Sequence, residues 1–372
     1  MSQLNSEQLL AAQSLSGAVL VLAGAGTGKT TVIVHRIANL VAAGVSPASI
    51  LAVTFTNKAA REMKQRVKQS LGDSAEQMSI STFHSFCAAV LRRHIHLLDY
   101  RRNFSIANSS YQNGLVREIL ATEALAAPGR DPGLLLQQIS LAKAALISPE
   151  QCRQQRGDAD PLRLAQVYEK YQSRMRQMDM LDFDDLLLLS VRLWEQHPEI
   201  LAKYQEKYSH LMIDEYQDTN AAQLQLMLKL AGKNGNVAVV GDDDQSIYGW
   251  RGADISNILQ FEAFFPEAKV IRLEQNYRST NIILSSANAL ISKNRSRRRK
   301  SLWSAQQAGE KLLAVLCKDE RAEAAFLAEF ILSEQPDRPL RHFALLLRSN
   351  HQARVIEEQF TRARLPYTLI GT

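Results

Sequence analysis

The stretch Ala23-Gly24-Ala25-Gly26-Thr27-Gly28-Lys29-Thr30 constrains this chain most, because of what stands on either side of it. Ala18 to Leu22 is an apolar run of strand length, and after the loop Val34, Ile37, Leu40 and Val41 recur at helical spacing. Strand, glycine-rich turn and helix in that order make a phosphate-binding loop. Gly24, Gly26 and Gly28 permit the close turns through which backbone N–H groups converge on phosphate oxygens. The helix that follows turns its positive end toward the same anion. Lys29 would then place an ammonium on the β- and γ-phosphates of a nucleotide, and Thr30 a hydroxyl on Mg²⁺. The usual pattern has glycine at the first position, where this chain has Ala23.

A chain of 372 residues with 46% hydrophobic content has room for two or three ordinary globular domains. The net charge of +6 suits nucleic acid but also a merely basic surface, so it decides nothing alone. Cys87, Cys152 and Cys317 have neither metal-ligand spacing nor the pattern of a disulfide framework, which fits a reducing cytoplasm. The N-terminus has no signal-like apolar region, and no run reaches the length of a membrane span. The expectation is a cytoplasmic protein with no membrane partner.

Further apolar strands are expected at Leu51 to Phe55, Leu211 to Ile213 and Val237 to Val240, with a helix over residues 59–69. Continuous apolar strands separated by helices predict an α/β fold with a parallel sheet covered on both faces. Residues 91–190 read instead as a helical insertion, broken at Pro128-Gly129, Asp131-Pro132-Gly133, Ser148-Pro149 and residues 157–161. The division expected is a first α/β domain in two segments, 1–90 and 191–276, the inserted subdomain 91–190, and an incomplete second α/β domain over 277–372. Strands of that second domain are expected at Lys311 to Leu316, Phe343 to Leu347 and Tyr367 to Ile370.

Asp214 follows an apolar strand and so falls at the carboxyl edge of the sheet, where open α/β folds bind ligands and where it can hold Mg²⁺. Its neighbour Glu215 is the natural base for the attacking water. An Asp-Glu pair alone is ordinarily surface charge; the phosphate loop is what gives it meaning. Asp242, Asp243 and Asp244 follow another strand and are expected to crowd negative charge toward the metal. Gln245 both donates and accepts, which suits a sensor of the γ-phosphate.

Together these stretches resemble the UvrD/Rep/PcrA group of superfamily 1 DNA helicases. The resemblance is carried by Leu4-Asn5-Ser6-Glu7-Gln8, Ala23 to Thr30, Val53 to Met63, Ser81-Thr82-Phe83-His84, Leu181 to Leu187, Ile213 to Asn220, Val240 to Ala253 and Leu273 to Thr280. It implies a P-loop NTPase of RecA-like fold with the start of a second RecA-like domain, ATP and Mg²⁺ in the cleft, and 3′→5′ movement on single-stranded DNA. Ala23 is tolerated at its position in this group. Gln8 would read the adenine edge, Tyr277 would stack on the base, and Arg278 would reach the γ-phosphate. Gln217 and Gln245 would link phosphate state to the DNA track. The expected partners are single-stranded DNA and single-strand/duplex junctions.

The resemblance also places Phe55, Tyr248 and Trp250 against DNA bases, with Thr82, His84 and Arg251 on backbone or base edges. Stacking grips any base, since every base has a π-face. Read alone, Phe55 ends a hydrophobic strand and belongs to the core, and His84 is a structural histidine. Asp182, Asp184 and Asp185 read as cap and inter-domain residues. Residues 293–300 hold six cations in eight positions, a solvated loop or a contact to nucleic acid.

The family's later motifs are not found between Tyr277 and Thr372, so the chain is expected to be a truncated form, weak in unwinding and prone to self-association through an incomplete second sheet. Two other classes stay open: a non-catalytic nucleotide-dependent DNA-binding fragment, and a partner-docking protein. A metabolic P-loop kinase gives no reason for the segment from Gln245 to Arg251.

Overall fold

The structure is a computed structural model that describes residues 4–122, 131–154, 161–232 and 235–370. The breaks anticipated at Pro128-Gly129 and at 157–160 lie outside these. Two compact units divide at Gly309–Glu310.

Among the described residues the first unit contains eight strands: β1 (Val19–Ala23), β2 (Ile50–Thr54), β3 (Ser79–Thr82), β4 (Ser105–Ile106), β5 (Met180–Leu181), β6 (His210–Ile213), β7 (Val237–Gly241) and β8 (Lys269–Leu273). Six form one parallel sheet in the order β3-β2-β6-β7-β1-β8, while β4 and β5 make a separate small pair. Strands β1, β2 and β7 are buried throughout, as a sheet covered on both faces requires. Alternation divides their side chains between two cores. Leu20, Leu22, Leu51 and Val53 face a core shared with Phe86, Leu187 and Leu226. Val19, Val21, Ile50 and Ala52 face the other, with Ile33, Ile37, Leu40 and Met63. Each such aliphatic side chain contributes about 1.5–3 kcal/mol relative to exposure.

The edge strands β3 and β8 were not anticipated from the sequence. Their burial is broken, with Lys269 and Arg272 exposed, so neither displays the continuous apolar run that marks the central strands.

The inserted region is helical and has its own core of Val116, Ile119, Ile139, Tyr168, Tyr171 and Met175. Asp182 and Asp185 form a capping box at the start of helix Phe183–Gln196. They also hold the buried Lys143 ammonium at 2.7 and 2.8 Å. The cap reading of these aspartates is therefore what the structure shows.

The second unit contains helices Glu320–Glu334 and Asn350–Arg362, packed through Ala324, Ala328, Ile331, Ile356 and Phe360. The three strands expected here do not form among the described residues. Residues 311–316, 343–347 and 367–370 carry no ladder, and Leu316 and Leu346 are almost fully exposed. An apolar run has the composition of a strand, but only paired N–H and C=O groups make it one.

Candidate nucleotide and DNA site

The loops at the carboxyl ends of β1, β6 and β7 converge on one edge of the sheet. β1 lies between β7 and β8, so the loop after Ala23 opens beside the acidic loop after Gly241. Ala23 is the buried last residue of β1. Ala25 and Thr27 lie in the turn itself, where the Thr27 hydroxyl donates to the Gly24 carbonyl at 2.8 Å. Gly28 caps helix Lys29–Ala42 with φ of 87°, and a Cβ there would come within 2.7 Å of the Gln8 side-chain nitrogen. Lys29 and Thr30 therefore occupy the first turn of the helix, beside its unpaired N–H groups.

Gln8 supports this loop from behind. It is buried, its Nε2 donates to the Thr27 carbonyl at 2.8 Å, and its Oε1 accepts from the Asn5 N–H at 3.0 Å. Asn5 also donates to the Gln275 Oε1 and the Tyr277 hydroxyl, each at 3.0 Å. Tyr277 is about half exposed, and its N–H donates to the Gly26 carbonyl at 2.9 Å. Asn276 donates to the Ala25 carbonyl at 2.5 Å, and its Oδ1 accepts from the N–H groups of Arg278 and Ser279 at 2.8 and 2.7 Å. Arg278 is exposed beside the loop. Residues 277–309 thus belong to the same compact unit as the phosphate loop. Asn276 escaped the sequence reading because an asparagine between two named motif residues carries no pattern of its own.

Beyond β6, Glu215 adopts a left-handed backbone with φ of 52°, an uncommon conformation for a non-glycine residue. Its carboxylate accepts from the Lys29 ammonium at 3.1 Å and from Gln217 Nε2 at 2.9 Å. Gln217 is itself buried, and its Oε1 accepts the Asp242 N–H at 2.9 Å. A continuous chain of bonds therefore runs from Lys29 through Glu215 and Gln217 to the loop after β7. Asp214 is buried, and desolvation, reinforced by the Glu215 charge, pushes its carboxyl up to about 6.

Asp242, Asp243 and Asp244 do not crowd charge toward a metal. Their carboxylates converge, but Lys300 sits among them, 2.8, 2.5 and 2.8 Å from the three in order. Arg297 adds a bidentate pair to Asp244 at 2.8 and 2.7 Å. Burial works to lower the Lys300 pKa, and the three carboxylates more than reverse it. The basic run is accordingly neither a wholly solvated loop nor a uniform contact surface. Arg297, Arg298 and Lys300 are turned inward, and Lys293, Arg295 and Arg299 outward. A run of like charges in sequence gives no sign of which members face a buried acid.

Gln245 Nε2 donates to Asp242 Oδ2 at 2.5 Å. Further along, the Phe55 and Tyr248 rings meet tilted, 4.9 Å between centroids, and Tyr248 lies 6.4 Å from Trp250. Arg251 covers Trp250 at 4.6 Å. Phe55 is half-buried and Trp250 exposed, so the three rings form a surface platform rather than core. Thr82 is buried as the cap of helix Phe83–His94, its Oγ1 accepting from the Ser85 N–H at 3.1 Å. His84 packs edge-on against the exposed Phe183 at 5.5 Å, and burial lowers its pKa. Phe183, hidden within an acidic helix start, was not anticipated.

Oxygen donors such as the Thr30 hydroxyl and the Asp214 carboxylate suit Mg²⁺, whereas the Asp242–Asp244 group already holds an ammonium. A parallel sheet with a phosphate loop, an acidic strand edge and an adjoining aromatic platform defines a P-loop NTPase.

Comparison with known proteins makes the class specific. The UvrD/REP helicase N-terminal domain matches residues 4–266, and the UvrD-like helicase C-terminal domain matches 271–372. The chain belongs to the UvrD/Rep helicase family. It is 44% identical to the ATP-dependent DNA helicase PcrA of Staphylococcus aureus strain Mu50, over 100% of this chain and 51% of that protein. The PcrA of Staphylococcus epidermidis strain RP62A is likewise 44% identical, over 99% of this chain and 51% of its own length. The chain spans about half the length of the curated relatives it matches. Among the described residues no helix is long and apolar enough to cross a membrane.

Proposed function

We propose that this chain is the ATP-binding, DNA-contacting portion of a superfamily 1 helicase or translocase that moves 3′→5′ on single-stranded DNA. The observation that carries the reading is the bonded chain from Lys29 through Glu215 and Gln217 to the Asp242 loop, whose continuation bears Tyr248 and Trp250.

In this reading the loop from Ala23 to Thr30, with Lys29, binds the triphosphate of ATP. Thr30 and Asp214 would hold Mg²⁺, which when bound neutralises phosphate charge. A triphosphate competes for the Lys29 ammonium, which releases Glu215 to orient and deprotonate the attacking water. Release of Glu215 alters its bond to Gln217, and so the loop leading to the aromatic platform. Gln8 and Tyr277 border the base, with the Gln8 amide exchanging its Thr27 contact for the adenine edge. Arg278 supplies positive charge at the γ-phosphate, and Gln245 senses that phosphate. Phe55, Tyr248 and Trp250 stack on bases, while Thr82, His84 and Arg251 meet the strand beside them.

The partners that follow are single-stranded DNA and single-strand/duplex junctions, in the cytoplasm. Self-association through the exposed apolar residues of the second unit, such as Leu316 and Leu346, belongs to the same reading. ATP turnover measured with and without single-stranded DNA is the test. Turnover that DNA stimulates and Glu215→Gln abolishes, with nucleotide binding retained, is the expected result; binding without any turnover would favour a non-catalytic DNA-binding fragment.

A further inference from the structure

Lys300 stands out because a buried ammonium among three carboxylates is costly unless the arrangement is specific. Its side chain is 2% exposed. It lies on a return segment, residues 297–303, that touches both halves of the site. At one end the Trp303 carbonyl accepts from the Asn276 N–H at 2.7 Å, and the Trp303 N–H donates to the Glu274 carbonyl at 3.1 Å. Leu302 is so close to Gly24 that any side chain there would collide with it. At the other end Arg297, the Arg298 N–H and Lys300 bind the aspartates after β7.

The division of the Asp242 carboxylate matters most. Its Oδ1 receives Lys300 and the Asp244 N–H at 2.8 and 3.2 Å, and its Oδ2 receives the Gln245 amide at 2.5 Å. An ionised carboxylate only accepts, so it must face the amide nitrogen and not the amide oxygen. The orientation of Gln245 is thereby dictated by Asp242, and that of Asp242 by Lys300.

We infer that Lys300 is a positioning residue for Gln245: it fixes the Asp242 carboxylate, and through it the amide that the functional reading places at the γ-phosphate. The return segment is then the element that keeps the phosphate loop and the platform loop in register. This role rests on the proposed function. It differs from simple electrostatic support, because its effect on turnover must pass through one side chain.

The experiment is a double-mutant cycle on the full 372-residue chain, reading DNA-stimulated ATP turnover and the affinity for a fluorescent ATP analogue. Lys300→Met and Gln245→Ala should each leave analogue affinity within about twofold and lower DNA-stimulated kcat about tenfold or more. In the Gln245→Ala background Lys300→Met should cost nothing further. A cost that persists undiminished in that background, or wild-type turnover by Lys300→Met, overturns the role. Asp242→Asn gives a second route should Lys300→Met not fold: it presents an amide to the Gln245 amide, and should mimic Gln245→Ala without adding to it. Additivity there is equally decisive against the proposal. If wild type shows no turnover, the same cycle is read in the nucleotide-dependent affinity for an oligo-dT strand. A wild-type chain with neither response overturns the functional reading, and this role with it.

Discussion

Two acidic loops stand at the same edge of the sheet, and the protein treats them in opposite ways. Asp214-Glu215 and Asp242-Asp243-Asp244 each follow a buried apolar parallel strand. Among the described residues the first meets one cation, Lys29, across a 3.1 Å pair in which Glu215 keeps 36% of its side-chain exposure. The second is saturated by Lys300 and Arg297, with Asp243 wholly buried. A carboxylate that is partly solvated and paired with a displaceable lysine can exchange partners. One enclosed by buried cations is a structural part, since separating it leaves uncompensated charge in a low dielectric. Availability for chemistry is thus set by counter-charge and burial, not by position at a strand end.

The contrast can be broken most forcefully at Glu215. Glu215→Gln should reduce ATP turnover by about 10²–10⁴-fold, the usual contribution of a general base, while leaving binding of a fluorescent nucleotide in place. The equivalent change in the other loop, Asp243→Asn, should act chiefly on folding. If Asp243→Asn abolished turnover in a fully folded chain and Glu215→Gln did not, the assignment of the two loops would be reversed.

The second loop is probed from its cation. Removing one partner of a buried ion pair costs about 3–5 kcal/mol, so Lys300→Met should lower stability by that order in chemical denaturation. Lys29→Met, from the half-open pair, should change it by less than about 1 kcal/mol. Equal costs at the two lysines would erase the distinction.

The pH dependence of Asp214 sharpens the picture of the first loop. Its folded pKa, about 6, lies above the ordinary carboxylate value, because burial disfavours the charged form. The resulting cost is absent at acid pH, where folded and unfolded chains both hold the proton, and grows as pH rises through about 6. In EDTA, Asp214→Asn should therefore raise stability at pH 7 by on the order of 3 kcal/mol and leave it unchanged near pH 3. Melting curves of the two proteins across this range provide the check; a gap that widened toward acid pH would contradict the sign.

The smallest effect concerns the basic run. Arg297→Ala should leave the salt dependence of oligo-dT binding unchanged, because its guanidinium is spent on Asp244. Replacing the outward-facing Arg295 and Arg299 together should flatten the plot of log affinity against log salt by about 0.7 for each lost phosphate contact. A flattened slope from Arg297→Ala would show that the pair with Asp244 opens on DNA.

Much of this site was legible in the sequence. The phosphate loop, the acidic strand ends and the parallel α/β character follow from local rules, since a buried strand must be apolar along its length and a phosphate turn must be rich in glycine. Asp182 was legible as a cap for the same reason: the bond it makes is to a backbone three residues away. The edge strands were not, because their exposed positions dilute the apolar pattern. Nor were the absent ladders at 311–316 and 343–347, where pairing depends on segments distant in sequence.

By itself, then, the sequence determined which residue types stand at the sheet edge and in what order the motifs arrive. Tertiary structure decided their states: that Lys29 pairs with Glu215, that Gln8 and Asn276 brace the phosphate loop, and that the Asp242 loop is neutralised while the Asp214 loop stays partly open. Local chemistry is written along the chain, within the reach of a turn or a cap. The pairing of charges is not, because residues tens of positions apart meet only when the chain folds, and their energies depend on the burial that folding creates.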